Sequence, residues 1–139
     1  PLIIKGIMTP EDGRAALSCG ADAIVISNHG GRQLDGAPAA IQVLPEIKSS
    51  LGDTIEVWMD GGIRSGQDVL RALALGADAT MIGRSYVYGL GALGEAGVTK
   101  ALAIIRNELD LSMAFCGRTS VQAVDTSILW NYPGERVTR

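Results

Sequence analysis

Four short apolar runs punctuate the chain, at Leu2–Ile7, Ala23–Ser27, Ile55–Asp60 and Ala79–Gly83. They are mostly rich in β-branched residues, and a loop follows each, the pattern of strands buried in a parallel sheet. Helical stretches separate them. In "TPEDGRAALSCG" Thr9 is placed to cap, Pro10 occupies the first helical position and Asp12 lies three residues after the cap, with Gly20 as the stop. A second helix is expected over Ala39–Ser50, and a third over Gly66–Leu75 with Gly76 ending it. A fourth is expected over Val98–Ala114, after "GLGALGEAG", which has too many glycines for a stable helix start and is read as a loop.

The units echo each other. Gly6, Ile7, Asp12, Ala16, Leu17, Gly20, Ala21, Asp22, Ala23 and Ile26 recur, identical and with the same spacing, as Gly62, Ile63, Asp68, Ala72, Leu73, Gly76, Ala77, Asp78, Ala79 and Ile82. The chain is thus a doubled βαβα segment. Four such units make either a complete open sheet of the flavodoxin kind or half of a (β/α)8 barrel, which typically takes about 250 residues. The chain opens "PLIIKGI", without methionine and directly in a buried strand, so it is expected to be part of a longer protein. Four βα units are expected over residues 1–116 and a partly flexible C-terminal extension over residues 117–139.

Composition narrows the chemistry. Of the 139 residues 47% are hydrophobic, enough for a core, and the net charge of −3 argues against a nucleic-acid partner. No apolar run reaches the roughly 18 residues of a membrane span. The two cysteines, Cys19 and Cys116, read as small core residues of a reducing compartment rather than as a disulfide. Metal binding is not expected, because the single histidine has no second histidine or cysteine cluster to complete a site.

The polar residues worth attention fall at the carboxyl ends of the strands, where parallel α/β folds gather function. Lys5 ends the first strand, Ser27 to Arg32 follow the second, Asp60 to Gly66 the third, and Gly83 with Arg84 the fourth. In "DGGIRSG" Gly61 and Gly62 bare backbone amides, Arg64 offers a fork of donors, and the next helix brings its positive amino end, the makings of a phosphate cradle. Gly83 and Arg84 add a second glycine and guanidinium. A G-x-G-x-x-G dinucleotide fingerprint is absent. Lys5 reads either as a lysine emerging into water or as a fixed charge facing developing negative charge. His29, the only histidine, stands beside Asn28, two glycines and Arg32, a natural carboxylate clamp; a base next to such a clamp suggests proton removal from a small acid.

The segments "IIKGI", "SNHGGRQLDG", "WMDGGIRSGQDVLRALALGA" and "MIGRSYVYGL" resemble the FMN-dependent α-hydroxy-acid oxidising enzymes. The likeness runs from Pro1 to about Leu129. It implies an α/β fold that is the last four units of a (β/α)8 TIM barrel, with FMN as cofactor. It further implies His29 as the active-site base and Arg32 as the substrate carboxylate ligand. Lys5 would lie near flavin N1 and O2, stabilising the reduced ring, and Ser27 at the flavin-side end of its strand. Asp60, Gly61, Gly62 and Arg64 would hold ribityl and phosphate, and Gly83 with Arg84 would complete the phosphate site. The implied activity is oxidation of an L-2-hydroxy acid, L-lactate foremost, with a quinone, cytochrome or oxygen as electron acceptor. An oxidase acting on glycolate or a similar acid is the alternative within the family, and a non-catalytic half-barrel the alternative outside it. A homo-oligomer is expected, in the cytoplasm or peripheral at the inner membrane. The family's first half supplies substrate-binding tyrosines and an aspartate that orients the histidine, and none of these can be located here. Alone, the four units leave two sheet edges unpaired and are expected to be inactive.

Overall fold

A computed structural model describes residues 1–130. Four parallel strands, β1 (Ile3–Ile7), β2 (Ala23–Ile26), β3 (Glu56–Met59) and the two-residue β4 (Ala79–Thr80), alternate with four helices. The helices are α1 (Pro10–Ser18), α2 (Ala40–Leu51), α3 (Gly66–Ala74) and α4 (Arg84–Phe115). The strands lie in the order β1-β2-β3-β4. This sequential order lacks the reversal that a flavodoxin-like doubly wound sheet requires.

The two faces of the sheet differ. Ile24, Ile26, Val57 and Met59 form a core with Ala16 of α1, Leu44 and Ile47 of α2, and Ala72 of α3. On the other face the register sets Lys5, Val25, Trp58 and Ala79 in one row across the four strands. Burial on that face is uneven: Ile3 on the edge strand is 41% exposed, whereas Val25 on β2 is buried.

Helix starts follow the expected chemistry. The Thr9 hydroxyl accepts from the Asp12 amide at 3.2 Å, and Ser65, its counterpart in the repeat, accepts from the Asp68 amide at 3.3 Å. The echo reaches the sheet. Asp22 accepts from the Leu2 amide at 2.6 Å and Asp78 from the Val57 amide at 2.8 Å, each carboxylate pinning the start of the preceding strand.

Two expectations are corrected. "GLGALGEAG" is helix rather than loop: α4 spans 32 residues and breaks only at Leu93 and Gly94, whose backbones leave helical geometry. Its glycines serve contact. A Cβ on Gly97 would lie 1.8 Å from the Gly89 carbonyl oxygen, so the arms on either side of the kink touch backbone to backbone. Cys19 and Cys116 are exposed free thiols and not core residues, because each sits just past the last turn of its helix. In the extension, 3₁₀ turns at Val121–Ala123 and Thr126–Ile128 are tied down by Arg118, which pairs with Asp125 at 3.0 Å. The polar tail "NYPGERVTR", expected to be flexible, lies outside the described residues. Among the described residues no helix is long and apolar enough to cross a membrane.

Two glycines of α4 separate packing from propensity. In the intact protein Gly97→Ala is expected to destabilise by about 2 kcal/mol or more through overpacking. Gly91→Ala, where a Cβ meets nothing within 4 Å, is expected to gain about 0.5–1 kcal/mol of helix propensity. Thermal unfolding of both variants checks this; equal midpoints would show that the arms do not depend on the Gly89–Gly97 contact.

Candidate active site

Because all four strands point the same way, their carboxyl ends meet along one rim, and a cavity of about 710 Å³ opens there. Its walls include Lys5, His29, Arg32, Asp60, Gly61, Gly62, Arg64, Gly83 and Arg84, which are all of the sequence-derived site residues except Ser27.

Ser27 stands behind the wall, 1% exposed. Its hydroxyl oxygen accepts from the Lys5 ammonium at 2.8 Å and from the His29 amide at 3.2 Å. It therefore positions two cavity residues and does not itself line the space. Lys5 also pairs with Asp60 at 3.0 Å, so one ammonium joins the ends of β1, β2 and β3. Two of its three N–H bonds are committed, leaving one for a ligand. The other oxygen of Asp60, Oδ1, is buried without a partner among the described residues. A carboxylate oxygen in that condition calls for a donor, and a ligand hydroxyl would supply one.

Three guanidinium groups, those of Arg32, Arg64 and Arg84, line the cavity without a carboxylate partner among the described residues. Arg84 reaches across to the Gly30 carbonyl at 3.4 Å, joining the loops after β2 and β4. The chain carries a net charge of −3, so this concentration of positive charge is local to the rim.

The amino end of α3 does not serve as the sequence suggested. The Arg64 and Ser65 amides donate to Asp68 Oδ2 at 3.1 and 3.0 Å, and the Gly66 amide donates to Glu108 of α4 at 2.9 Å. Protein carboxylates already occupy that end. The amino end of α4 is different: Gly83 starts it with no side-chain cap, and Gly83, Arg84 and Ser85 face the cavity. The positive helix end available to an anion is therefore that of α4, flanked by Arg64 and Arg84.

Gly6, which sequence reasoning passed over, shapes the histidine's seat. It adopts φ +103 at a register shift in β1, and a Cβ there would lie 3.0 Å from His29 Nε2. His29 itself has φ 56, a left-handed backbone uncommon for a residue with a Cβ. Glycine inside a strand run was the available signal, since it marks a bulge or a close approach.

Residues 1–131 match the family model described as FMN-dependent dehydrogenase. The chain belongs to that family. It is 50% identical over all 139 residues to an L-lactate dehydrogenase of Caulobacter vibrioides, of which it covers 35%. It is 48% identical over 131 residues, 94% of the chain, to a 2-hydroxyacid oxidase of Dictyostelium discoideum, of which it covers 34%. A mandelate oxidase variant solved with a monooxide FMN adduct superposes with a TM-score of 0.87 at 48% identity, over 89% of this chain and 40% of that one. The chain thus spans about a third of the length of the curated relatives it matches.

The seat of the histidine is open to test in the intact protein. Gly6→Ala forces an L residue into a left-handed backbone and crowds His29, and is expected to destabilise the fold by about 1–3 kcal/mol. Thermal unfolding checks this, and a wild-type midpoint in Gly6→Ala would show that the imidazole does not need that space.

Proposed function

We propose that this chain forms the last four βα units of a (β/α)8 barrel in an FMN-dependent L-2-hydroxy-acid dehydrogenase, with L-lactate as substrate and the 2-oxo acid as product. The observation that carries the reading is His29 and Arg32 three residues apart in one loop, facing the same cavity as Arg64, Arg84 and the uncapped start of α4. Base, carboxylate clamp and phosphate cradle share one space.

The residues present fit the cofactor. Arg64, Arg84 and the first amides of α4 would hold the phosphate, and the unpartnered Asp60 Oδ1 would accept from a ribityl hydroxyl. The remaining N–H of Lys5 would offer positive charge to the bound flavin. When bound, FMN accepts the two electrons that leave C2 of the substrate. Arg32 grips the substrate carboxylate through its planar fork, which fixes the acid relative to His29. Of the two hydrogens that leave the acid, one from C2 and one from its hydroxyl, His29 would take one as a proton and the other would pass to the flavin with the electrons. The relatives include dehydrogenases and oxidases alike, so an oxidase that delivers electrons to oxygen is the second reading.

The intact protein, assayed with a panel of L-2-hydroxy acids under air and with an artificial acceptor in its absence, is expected to turn over L-lactate fastest and with the acceptor. His29→Gln is expected to keep its flavin absorbance while turnover falls roughly 10²-fold or more. Arg32→Lys, which keeps charge but loses the fork, is expected to suffer less than Arg32→Met. Absence of turnover with every acid would overturn the reading; near-normal turnover in His29→Gln would overturn the base assignment.

A further inference from the structure

The loop that carries His29 and Arg32 is held in an improbable shape by few contacts. His29, Gly30 and Gly31 take φ of 56, 70 and 72, three left-handed residues in succession. Glycine takes this backbone freely, but a residue with a Cβ such as His29 holds it only where its surroundings over-determine it. Packing does not supply that constraint, because Gly31 through Gly36 are exposed.

Side-chain hydrogen bonds supply it instead. Ser27 fixes the His29 amide, as described. Asn28 does the rest with the two ends of one carboxamide. Its Oδ1 accepts from the Gly30 amide at 3.1 Å, and its Nδ2 donates to the Pro38 carbonyl at 3.2 Å, ten residues on. The Asn28 carbonyl accepts from the Gly31 amide at 3.0 Å, closing the turn. A Cβ on Gly61 would lie 3.2 Å from Asn28 Oδ1, so the loop after β3 confines the carboxamide from the other side.

We infer that Asn28 is a positioning residue that sets His29 and Arg32 relative to each other by strapping the Gly30 amide to the Pro38 carbonyl across the mouth of their loop. The inference rests on His29 acting as base and Arg32 as carboxylate clamp. The residue type follows from the geometry. One end of the side chain has to accept and the other has to donate, and only an amide does both at that length. Aspartate keeps the acceptor for Gly30 but turns a carboxylate oxygen towards the Pro38 carbonyl. Alanine keeps neither.

The test compares intact wild type, Asn28→Asp and Asn28→Ala, with kcat and KM for the 2-hydroxy acid expressed per bound flavin. Asn28→Ala is expected to lose roughly 10²-fold in kcat with a raised KM, since base and clamp drift together. Asn28→Asp is expected to lose about tenfold in kcat, the scale of one hydrogen bond. Joint damage to kcat and KM per flavin, partly rescued by aspartate, marks positioning. A merely structural role lowers yield, flavin content and melting temperature and leaves both constants per flavin at wild-type values. If Asn28→Ala gives no folded protein, Asn28→Asp carries the comparison alone, and wild-type constants in it overturn the inference. A wild-type protein without turnover brings down the functional reading, and this inference with it.

Discussion

The rim of this sheet depends on one ammonium group. Lys5 Nζ, at the end of β1, donates to Ser27 beyond β2 and pairs with Asp60 beyond β3, at 2.8 and 3.0 Å. Its side chain is 40% exposed and that of Asp60 only 19%, so the carboxylate is the partner that needs the contact. Removing Lys5 would leave a mostly buried charge unpaired, which is far costlier than losing a surface pair. The same knot reaches the chemistry, because the Ser27 hydroxyl that accepts from Lys5 also accepts from the His29 amide. Strand spacing, positive charge at the cavity wall and the histidine's backbone are therefore linked through three side chains.

Helix packing determines where an anion can sit. Gly66 lets α3 approach α4 so closely that a Cβ there would lie 1.9 Å from the Leu109 amide nitrogen. That approach brings Glu108 to the Gly66 amide and, together with Asp68, fills the amino end of α3 with negative charge. The same helix α4 offers its own uncapped start to the cavity. One element thus fills one helix start with carboxylates and presents another, without a side-chain cap, to the cavity.

Much of this was legible in the sequence because the signals are local. The strands, the caps at Thr9 and the glycine stops depend on neighbours within a few positions, and the clustering of Lys5, His29, Arg32, Asp60, Arg64 and Arg84 at strand ends needs only the strand assignments. The misses depend on distance. Glu108 lies 42 residues from the amide it caps, so the sealing of α3 left no mark in "DGGIRSG". The glycines of "GLGALGEAG" look like breakers by propensity, yet Gly89 and Gly97 are small because two backbones meet there. Gly6 likewise answers to an imidazole 23 positions on, and nothing local to Ser27 showed that its hydroxyl would join Lys5 to the His29 amide.

The placement of the anion is tested most directly by the affinities of the intact apoprotein for FMN and for riboflavin, which lacks the phosphate. If Arg64 and Arg84 with the start of α4 hold that phosphate, Arg64→Ala and Arg84→Ala each weaken FMN binding by about 10- to 100-fold, the worth of a charge-assisted hydrogen bond, and leave riboflavin binding nearly unchanged. Equal losses for the two flavins would contradict it, and would return both arginines to a purely structural part in the rim.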